Sequence, residues 1–313
     1  MLRLAVLGAG NHSRANHLPA LSRYVSEHPG AIELAALCDL DRALAERMAA
    51  AHGFARVYTD LGQMLAEERL DGLFAVTPIP ATAQVAVQAM EAGLPLLVEK
   101  PLGGSMADAD RIMEAAERTK ATVMVSVNRR FSPALRAGLA WWGDAPAEFI
   151  RASMWRTRRR EPEFVTGTGI HPVDAIRHIA GEVSDVEMEA RRVDGVWWYY
   201  IRLQFQSGAR GLVELMPTAG LRHESYEIFG AERRLLVEEA EYASGVARGW
   251  EGGNLLLDTD PAAGQPAYVR NGAYAEACEF IAALQEGRQP YPSLVEVYPS
   301  MELVHGVYAR IAA

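Results

Sequence analysis

Only two cysteines occur in 313 residues. Cys38 and Cys278 have neither the paired spacing of a zinc site nor the numbers of a disulfide framework. Both stand among apolar neighbours and read as buried thiols. Positive charge is in deficit: the formal net charge is −9, which argues against nucleic acid as a partner. No unbroken apolar run is long enough to span a bilayer. No basic segment with a separate apolar core and cleavage site opens the chain, which starts directly on the strand pattern Met1-Leu-Arg-Leu-Ala-Val-Leu-Gly8. A cytoplasmic protein with no membrane association is expected. Low-complexity segments and short-period repeats are missing as well. What remains is a globular composition, 50% hydrophobic and 23% charged, in a chain long enough for about two domains.

Leu2 to Leu7 is a nearly continuous apolar run ended by Gly8-Ala-Gly10. Such a run suits a parallel strand covered on both faces. Asn11, His12 and Ser13 follow and open a helix pattern that continues through His17-Leu-Pro-Ala-Leu21. The whole is G-x-G-x-x-S. Gly8 would make the tight turn, and Gly10 would let a pyrophosphate approach the helix N-terminus. Ser13 stands where the dinucleotide fingerprint has its third glycine. Ile32 to Cys38 reads as a second strand, and Asp39 at its end is the expected partner of the adenosine ribose hydroxyls. An acid there repels a 2′-phosphate, so NAD is favoured over NADP. The competing reading makes Asp39 the N-cap of the helix that follows.

The alternation continues. Helices are expected over 43–52, 60–68, 82–92 and 107–119, with strands over 72–76, 94–98 and 122–127. This is the pattern of a doubly wound parallel sheet. Thr77-Pro78 ends its strand on the same edge as Gly8. The strand 94–98 runs into Glu99-Lys100-Pro101, whose proline keeps Lys100 out of the α region. Open α/β sheets place their chemistry outside the carboxyl ends of the strands, where Lys100 then stands. Near residue 124 the pattern changes. Strands over 183–189, 196–206, 210–216, 225–229 and 234–238, joined by short polar turns, predict antiparallel hairpins. Trp197-Trp198-Tyr199-Tyr200 carries aromatics on both faces. Either the strand is wholly buried or one face meets a partner subunit, and the second reading is favoured.

At this point the residues resemble the Gfo/Idh/MocA oxidoreductases, named for glucose–fructose oxidoreductase and inositol dehydrogenase. The likeness covers Gly8-Ala-Gly10 with His17 to Leu21, Asp39, Thr77-Pro78, Glu99-Lys100-Pro101 and Asn128-Arg-Arg-Phe-Ser-Pro133. It extends through Gly169-Ile-His171-Pro-Val-Asp174, Ile228-Phe-Gly230 and Phe280 to Pro290. The resemblance implies an α/β chain: a Rossmann domain over residues 1–123, then a substrate and oligomerisation domain over 124–313 built on a large, mostly antiparallel open sheet. It implies hydride transfer between NAD(P) and a carbinol carbon of a sugar, cyclitol or sugar acid, in a homodimer or homotetramer. Carried onto this chain, it places Gly8, Gly10, Asn11, His12, Ser13 and Asp39 at the cofactor, with Thr77, Pro78, Glu99, Lys100 and Asn128. It makes Lys100, His171 and Asp174 the catalytic group. No metal is expected.

Oxidising an alcohol needs a base for the hydroxyl proton, and His171 titrates in the right range. Lys100 would hydrogen-bond the same oxygen and stabilise developing alkoxide charge. Asp174, three residues after His171, could orient the histidine or serve the first helical turn. The family pattern here is D-x-G-x-H-x-x-D, and its first acid is replaced by Gly167, leaving Thr168 or a water as substitute. Arg156 leads the run Arg156-Thr-Arg-Arg-Arg160, read either as a solvated loop or as a clamp for an anionic substrate. Arg129 and Tyr274 are further candidates to contact substrate. Two other activities known among the resembling proteins stay open: a glycoside hydrolase that retains NAD, and a nicotinamide-binding regulator without turnover.

Overall fold

The computed structural model describes residues 1–239 and 245–312. The chain forms two compact units. One comprises Met1–Val127 with Ala273–Pro299, the other Asn128–Gly272 with the chain from Ser300 onward. They differ from a single cut after residue 123 in two ways. The last strand of the parallel sheet carries the first unit on to Val127, and a later helix returns to that unit.

The first unit begins with β1 (Leu2–Leu7), α1 (Asn11–Ala15), α2 (His17–Glu27), β2 (Ile32–Cys38), α3 (Arg42–His52) and β3 (Arg56–Tyr58). It continues with α4 (Leu61–Glu67), β4 (Gly72–Ala75), α5 (Ile79–Glu91), β5 (Leu96–Glu99), α6 (Met106–Thr119) and β6 (Val123–Ser126). The six strands lie in the order β3-β2-β1-β4-β5-β6, and all their pairings are parallel. This is the doubly wound order, with the sheet order reversing at β1 and β4. β1, β4, β5 and β6 are almost wholly buried, which is why their sequences are apolar runs and not alternating ones. Three of these helices, α3, α4 and α6, start on side-chain caps: Asp41 accepts from the Leu44 N–H, Asp60 from Gln63, and Ser105 from Asp108. The cap of α3 is therefore Asp41 and not Asp39. Cys38 is buried at the end of β2, where desolvation pushes its thiol up to about 11; it is an inert core thiol.

The second unit opens on a 3-10 turn, Asn128–Phe131, followed by α7 (Pro133–Trp142), β7 (Phe149–Trp155), α8 (Phe164–Gly167) and α9 (Ile170–Ala180). Next come β8 (Val183–Val193), β9 (Val196–Phe205), β10 (Arg210–Met216), β11 (His223–Gly230), β12 (Arg233–Glu238), β13 (Val246–Glu251), β14 (Asn254–Thr259) and α10 (Ala267–Arg270). α11 (Ala273–Glu286) packs on α2 in the first unit, and α12 (Leu294–Ala312) passes from one unit to the other at Pro299. The eight strands lie in the order β14-β13-β12-β11-β7-β10-β9-β8. Every pairing is antiparallel except β7 with β10. α7 and α9 cover one face of this sheet, α7 over β12 and β13 and α9 over β7 and β10. Strand β9 is not wholly buried. Tyr199, Ile201, Leu203 and Phe205 face the core, while Trp198 and Tyr200 are half-buried on the opposite face beside exposed Arg202 and Gln204.

The turn after β1 is the tightest point of the first unit. Gly8 has φ +98°, and a Cβ there would lie 2.0 Å from the Val76 carbonyl oxygen. Its N–H donates to the Cys38 carbonyl at 2.7 Å, so the backbone cannot retreat. A Gly8→Ala substitution is expected to cost about 3 kcal/mol from the forced φ and the clash together. Urea unfolding of the variant checks this, and an unchanged midpoint would mean the turn relaxes freely.

Candidate functional site

In the first unit the carboxyl ends of the strands bring the sequence-predicted cofactor residues to one edge. Gly8 to Ser13 follow β1, Asp39 follows β2, Thr77-Pro78 follow β4, and Glu99-Lys100 end β5. Asp39 Oδ2 accepts the Ala9 N–H at 2.6 Å, and its Oδ1 accepts the Asp41 N–H at 2.9 Å. The carboxylate thus holds the glycine turn from below. Gly10 begins α1 with no side-chain cap, and a Cβ there would meet nothing within 4 Å. Open space over a helix start behind a fixed glycine turn is what an approaching pyrophosphate requires. Ser13 is fully buried, as helix–strand packing at the third fingerprint position demands. The Oγ1 of Thr77 is buried without a hydrogen-bond partner. These features fit a dinucleotide on this edge.

Glu99 is 6% exposed, and three donors converge on its Oε1: His17 Nε2 at 2.7 Å, His12 Nε2 at 3.0 Å and Ser126 Oγ at 2.9 Å. Burial alone would raise this carboxyl. His12 and His17 overcome that and hold it well below the usual carboxylate range. The hydroxyl of Ser126 also meets Glu276 Oε2 on α11 at 2.9 Å. The Asn16 side-chain amide lies 3.3 Å from His12 Nδ1, on the far side of the ring from Glu99. His12 is therefore bound to Glu99 from inside the glycine loop, a link that spacing along the chain did not reveal. Lys100 follows directly, half-buried, with a cis bond to Pro101.

In the second unit His171 lies in the first turn of α9 and is 9% exposed. Its N–H donates to the Thr168 carbonyl at 3.2 Å. Asp174 does not turn toward it. Its two oxygens take Arg130 Nη2 and Nε, each at 2.8 Å, and Ser300 Oγ at 2.9 Å. With both Asp174 and Arg130 buried, this bidentate pair satisfies the carboxylate internally, so the orienting role for Asp174 is corrected to one of anchoring α9. Arg129 and Arg156 are likewise turned inward. Glu224 receives Arg129 Nε at 2.7 Å, Arg129 Nη2 at 3.1 Å and Arg156 Nη2 at 2.6 Å. The Tyr226 hydroxyl donates to Glu224 at 2.8 Å. Burial opposes the charge on Glu224, but the two guanidinium groups hold its carboxyl far below the ordinary range. Both arginines are 3% exposed, which replaces the proposed substrate clamp by a buried structural cluster. Glu224 could have been found as an acid in register with the inward-facing Tyr226 and Ile228.

The remaining candidates are placed as follows. Thr168 Oγ1 accepts from Arg159 Nη2 at 2.8 Å. Asn128 donates to the Asn271 carbonyl at 2.9 Å and accepts from Arg129 Nη1 at 3.2 Å, within the second unit. Tyr274 belongs to the first unit, where its hydroxyl donates to Glu27 and the Arg23 guanidinium lies over its ring. That packing of α11 on α2 takes Tyr274 out of the substrate set.

Residues 2–127 match the model of the GFO_IDH_MocA oxidoreductase family, described as an NAD-binding Rossmann fold. A D-apiose dehydrogenase of Paraburkholderia graminis is 30% identical over 253 residues, 74% of this chain and 66% of that protein. Residues 2–127 belong to the Gfo/Idh/MocA family. The NAD-dependent scyllo-inositol 2-dehydrogenase of Bacillus subtilis is 27% identical over 267 residues, 75% of this chain and 73% of its own length. The match to the apiose enzyme thus spans just under two thirds of that relative. In fold, this chain is similar to the crystal structure of the dehydrogenase MviM from Clostridium difficile, with a TM-score of 0.87 at 16% identity over 99% of both chains.

The depressed Glu99 carboxyl gives a stability signature. A group whose folded pKa is lowered stabilises the protein above its unfolded value, about 4.3, and that contribution disappears as pH falls through the folded value. Glu99→Gln is expected to lose about 3 kcal/mol at neutral pH. The deficit relative to wild type should be constant above about pH 5 and shrink below about pH 4. Denaturant unfolding across pH 3 to 7 checks this; a deficit that stays flat through the acid range would mean Glu99 is not held as the anion.

Proposed function

We propose that this protein is a dehydrogenase that transfers a hydride between NAD and a carbinol carbon of a sugar, cyclitol or sugar acid. The observation that carries the reading is the position of Lys100. It follows the buried Glu99 at the carboxyl end of β5, on the sheet edge that also holds the glycine turn and Thr77-Pro78. The dehydrogenases of D-apiose and scyllo-inositol among its relatives support the substrate class. When bound, the nicotinamide supplies the acceptor for the carbon-bound hydrogen. Lys100 donates a hydrogen bond to the reacting oxygen and stabilises the charge that develops there. His171 takes the hydroxyl proton. Asp174 and Glu224 act at one remove, by fixing α9 and the strands beneath it. We assign NAD over NADP to Asp39, whose carboxylate at the end of β2 would meet a 2′-phosphate with like charge. A cytoplasmic homodimer or homotetramer, paired through the sheet face that carries Trp198 and Tyr200, completes the reading.

Turnover with NAD⁺ and pooled polyols, aldoses, inositols and sugar acids tests it, with NADH binding followed in parallel. Lys100→Ala is expected to abolish reduction while NADH affinity stays nearly intact. His171→Ala is expected to lower kcat by about 10² to 10⁴ and to flatten the pH profile of the rate. A fully active lysine variant would overturn the assignment, and binding without any reduction would point to the hydrolase or the regulator instead.

Cofactor choice has its own test. Asp39→Ala should weaken NADH binding more than NADPH binding, because only the former loses a ribose partner while the latter loses a repulsion. Equal losses for both would reduce Asp39 to a support for the glycine turn.

A further inference from the structure

We propose that His12, His17 and Glu99 form a binding site for one divalent transition-metal ion of the zinc class. The three residues come from separate elements: His12 from the first turn of α1, His17 from the start of α2, and Glu99 from the end of β5. Each presents one ligand atom, and these atoms lie within 4.8 Å of one another. The two imidazole nitrogens already converge on one carboxylate oxygen, at 2.7 and 3.0 Å. Ligands of a tetrahedral zinc ion, each about 2.0–2.1 Å from the metal, stand roughly 3.3 Å apart. Small rotamer adjustments therefore replace the two hydrogen bonds by three metal bonds. The ion takes the place of the imidazole protons that now face Glu99, and each neutral ring then carries its proton on Nδ1.

The donor set selects the ion. Two imidazoles and one carboxylate suit zinc, cobalt, nickel or copper, whereas magnesium and calcium prefer oxygen ligands alone. The surroundings support two of the three ligands, Glu99 and His12, while the far nitrogen of His17 is buried without a partner. Ser126 Oγ donates to the ligating carboxylate, and the Asn16 side-chain amide abuts the far nitrogen of His12 at 3.3 Å. With that amide turned over, its oxygen accepts the Nδ1–H that a metal bound at Nε2 requires. His17 and Glu99 are buried, while the His12 side chain is 49% exposed, so entry is from the His12 side and the fourth position stays open there. A bound ion joins the glycine loop to the end of β5 by coordination in place of hydrogen bonds. The proposal does not depend on the dehydrogenase reading, since it concerns binding by the protein without cofactor or substrate.

The experiment uses full-length protein dialysed against a chelator and titrated with Co²⁺, which reports tetrahedral coordination through its visible d–d absorption. One equivalent per chain is expected to give that spectrum. Zn²⁺ should displace it and Mg²⁺ should leave it unchanged. His12→Ala, which alters a half-exposed side chain, should weaken Co²⁺ binding by about tenfold or more. His28→Ala, at an exposed histidine outside the site, should bind as wild type does, with circular dichroism checking that both variants are folded. The proposal is overturned by the absence of a tetrahedral spectrum in wild type. It is equally overturned by His12→Ala binding as tightly as wild type, or by His28→Ala losing as much as His12→Ala.

Discussion

A carboxylate buried at the end of a strand must be compensated, and in this chain the compensation of Glu99 ties the first unit together. An ion in that position costs several kcal/mol unless its lone pairs are filled. The donors that fill them come from α1, α2 and β6. The glycine loop, the helix behind it and the strand leading to Lys100 are thereby set in register around a single oxygen. Asp39 performs the same task one strand away, holding the Ala9 N–H from the end of β2. The turn that would cradle a pyrophosphate is thus fixed on one side by an acid of β2 and on the other by an acid of β5. Neither contact needs the ligand to be present, so the cost of ordering the loop falls on folding and not on binding.

The second unit solves a similar problem with arginine. Glu224 is held by Arg129 and Arg156, and Asp174 by Arg130 together with Ser300. Guanidinium groups suit this because their planar donors match a carboxylate in pairs and are more weakly hydrated than an ammonium. Arg177 extends the second cluster, donating to Ser300 at 2.8 Å and to Glu182 at 2.7 Å. α9 is therefore pinned at Asp174 and at Arg177, one and two turns after His171. Removing one member of such a cluster leaves a buried charge behind, so its parts are expected to behave as a unit under mutation.

The legible part of the sequence was the part whose burial is all or none. The four central strands of the first sheet are apolar runs because both faces are covered, and the helices between them announce themselves by caps. β3 was missed because Arg56-Val-Tyr58 is three residues long at the sheet edge, too short for any period. β7 was missed for a different reason. It is central, yet Arg151 and Ser153 face the less covered side, so Phe149-Ile-Arg-Ala-Ser-Met-Trp155 shows neither an apolar run nor clean alternation. β13 carries Gly249, where a Cβ would stand 2.7 Å from the Trp141 ring; a glycine chosen for that close approach reads from sequence as a turn. The candidate site residues are legible as types but not as partnerships. The run from Arg156 to Arg160 reads as a solvated loop or a clamp, and only the fold shows that Arg156 meets Glu224 of β11 and Arg130 meets Asp174 of α9.

That difference bears on what surrounds His171. The acid that the family pattern places ahead of the histidine is Gly167 here, and the later acid, Asp174, faces Arg130 and Ser300. The carboxylate whose charge is coupled to His171 is Glu224, on a neighbouring strand and clamped by two arginines. Thr168, the neighbour of the lost acid, accepts from Arg159 instead of offering negative charge. Asp174, Glu224 and Thr168 are thus each engaged by an arginine, and what the sequence sets beside His171 is committed elsewhere by the fold.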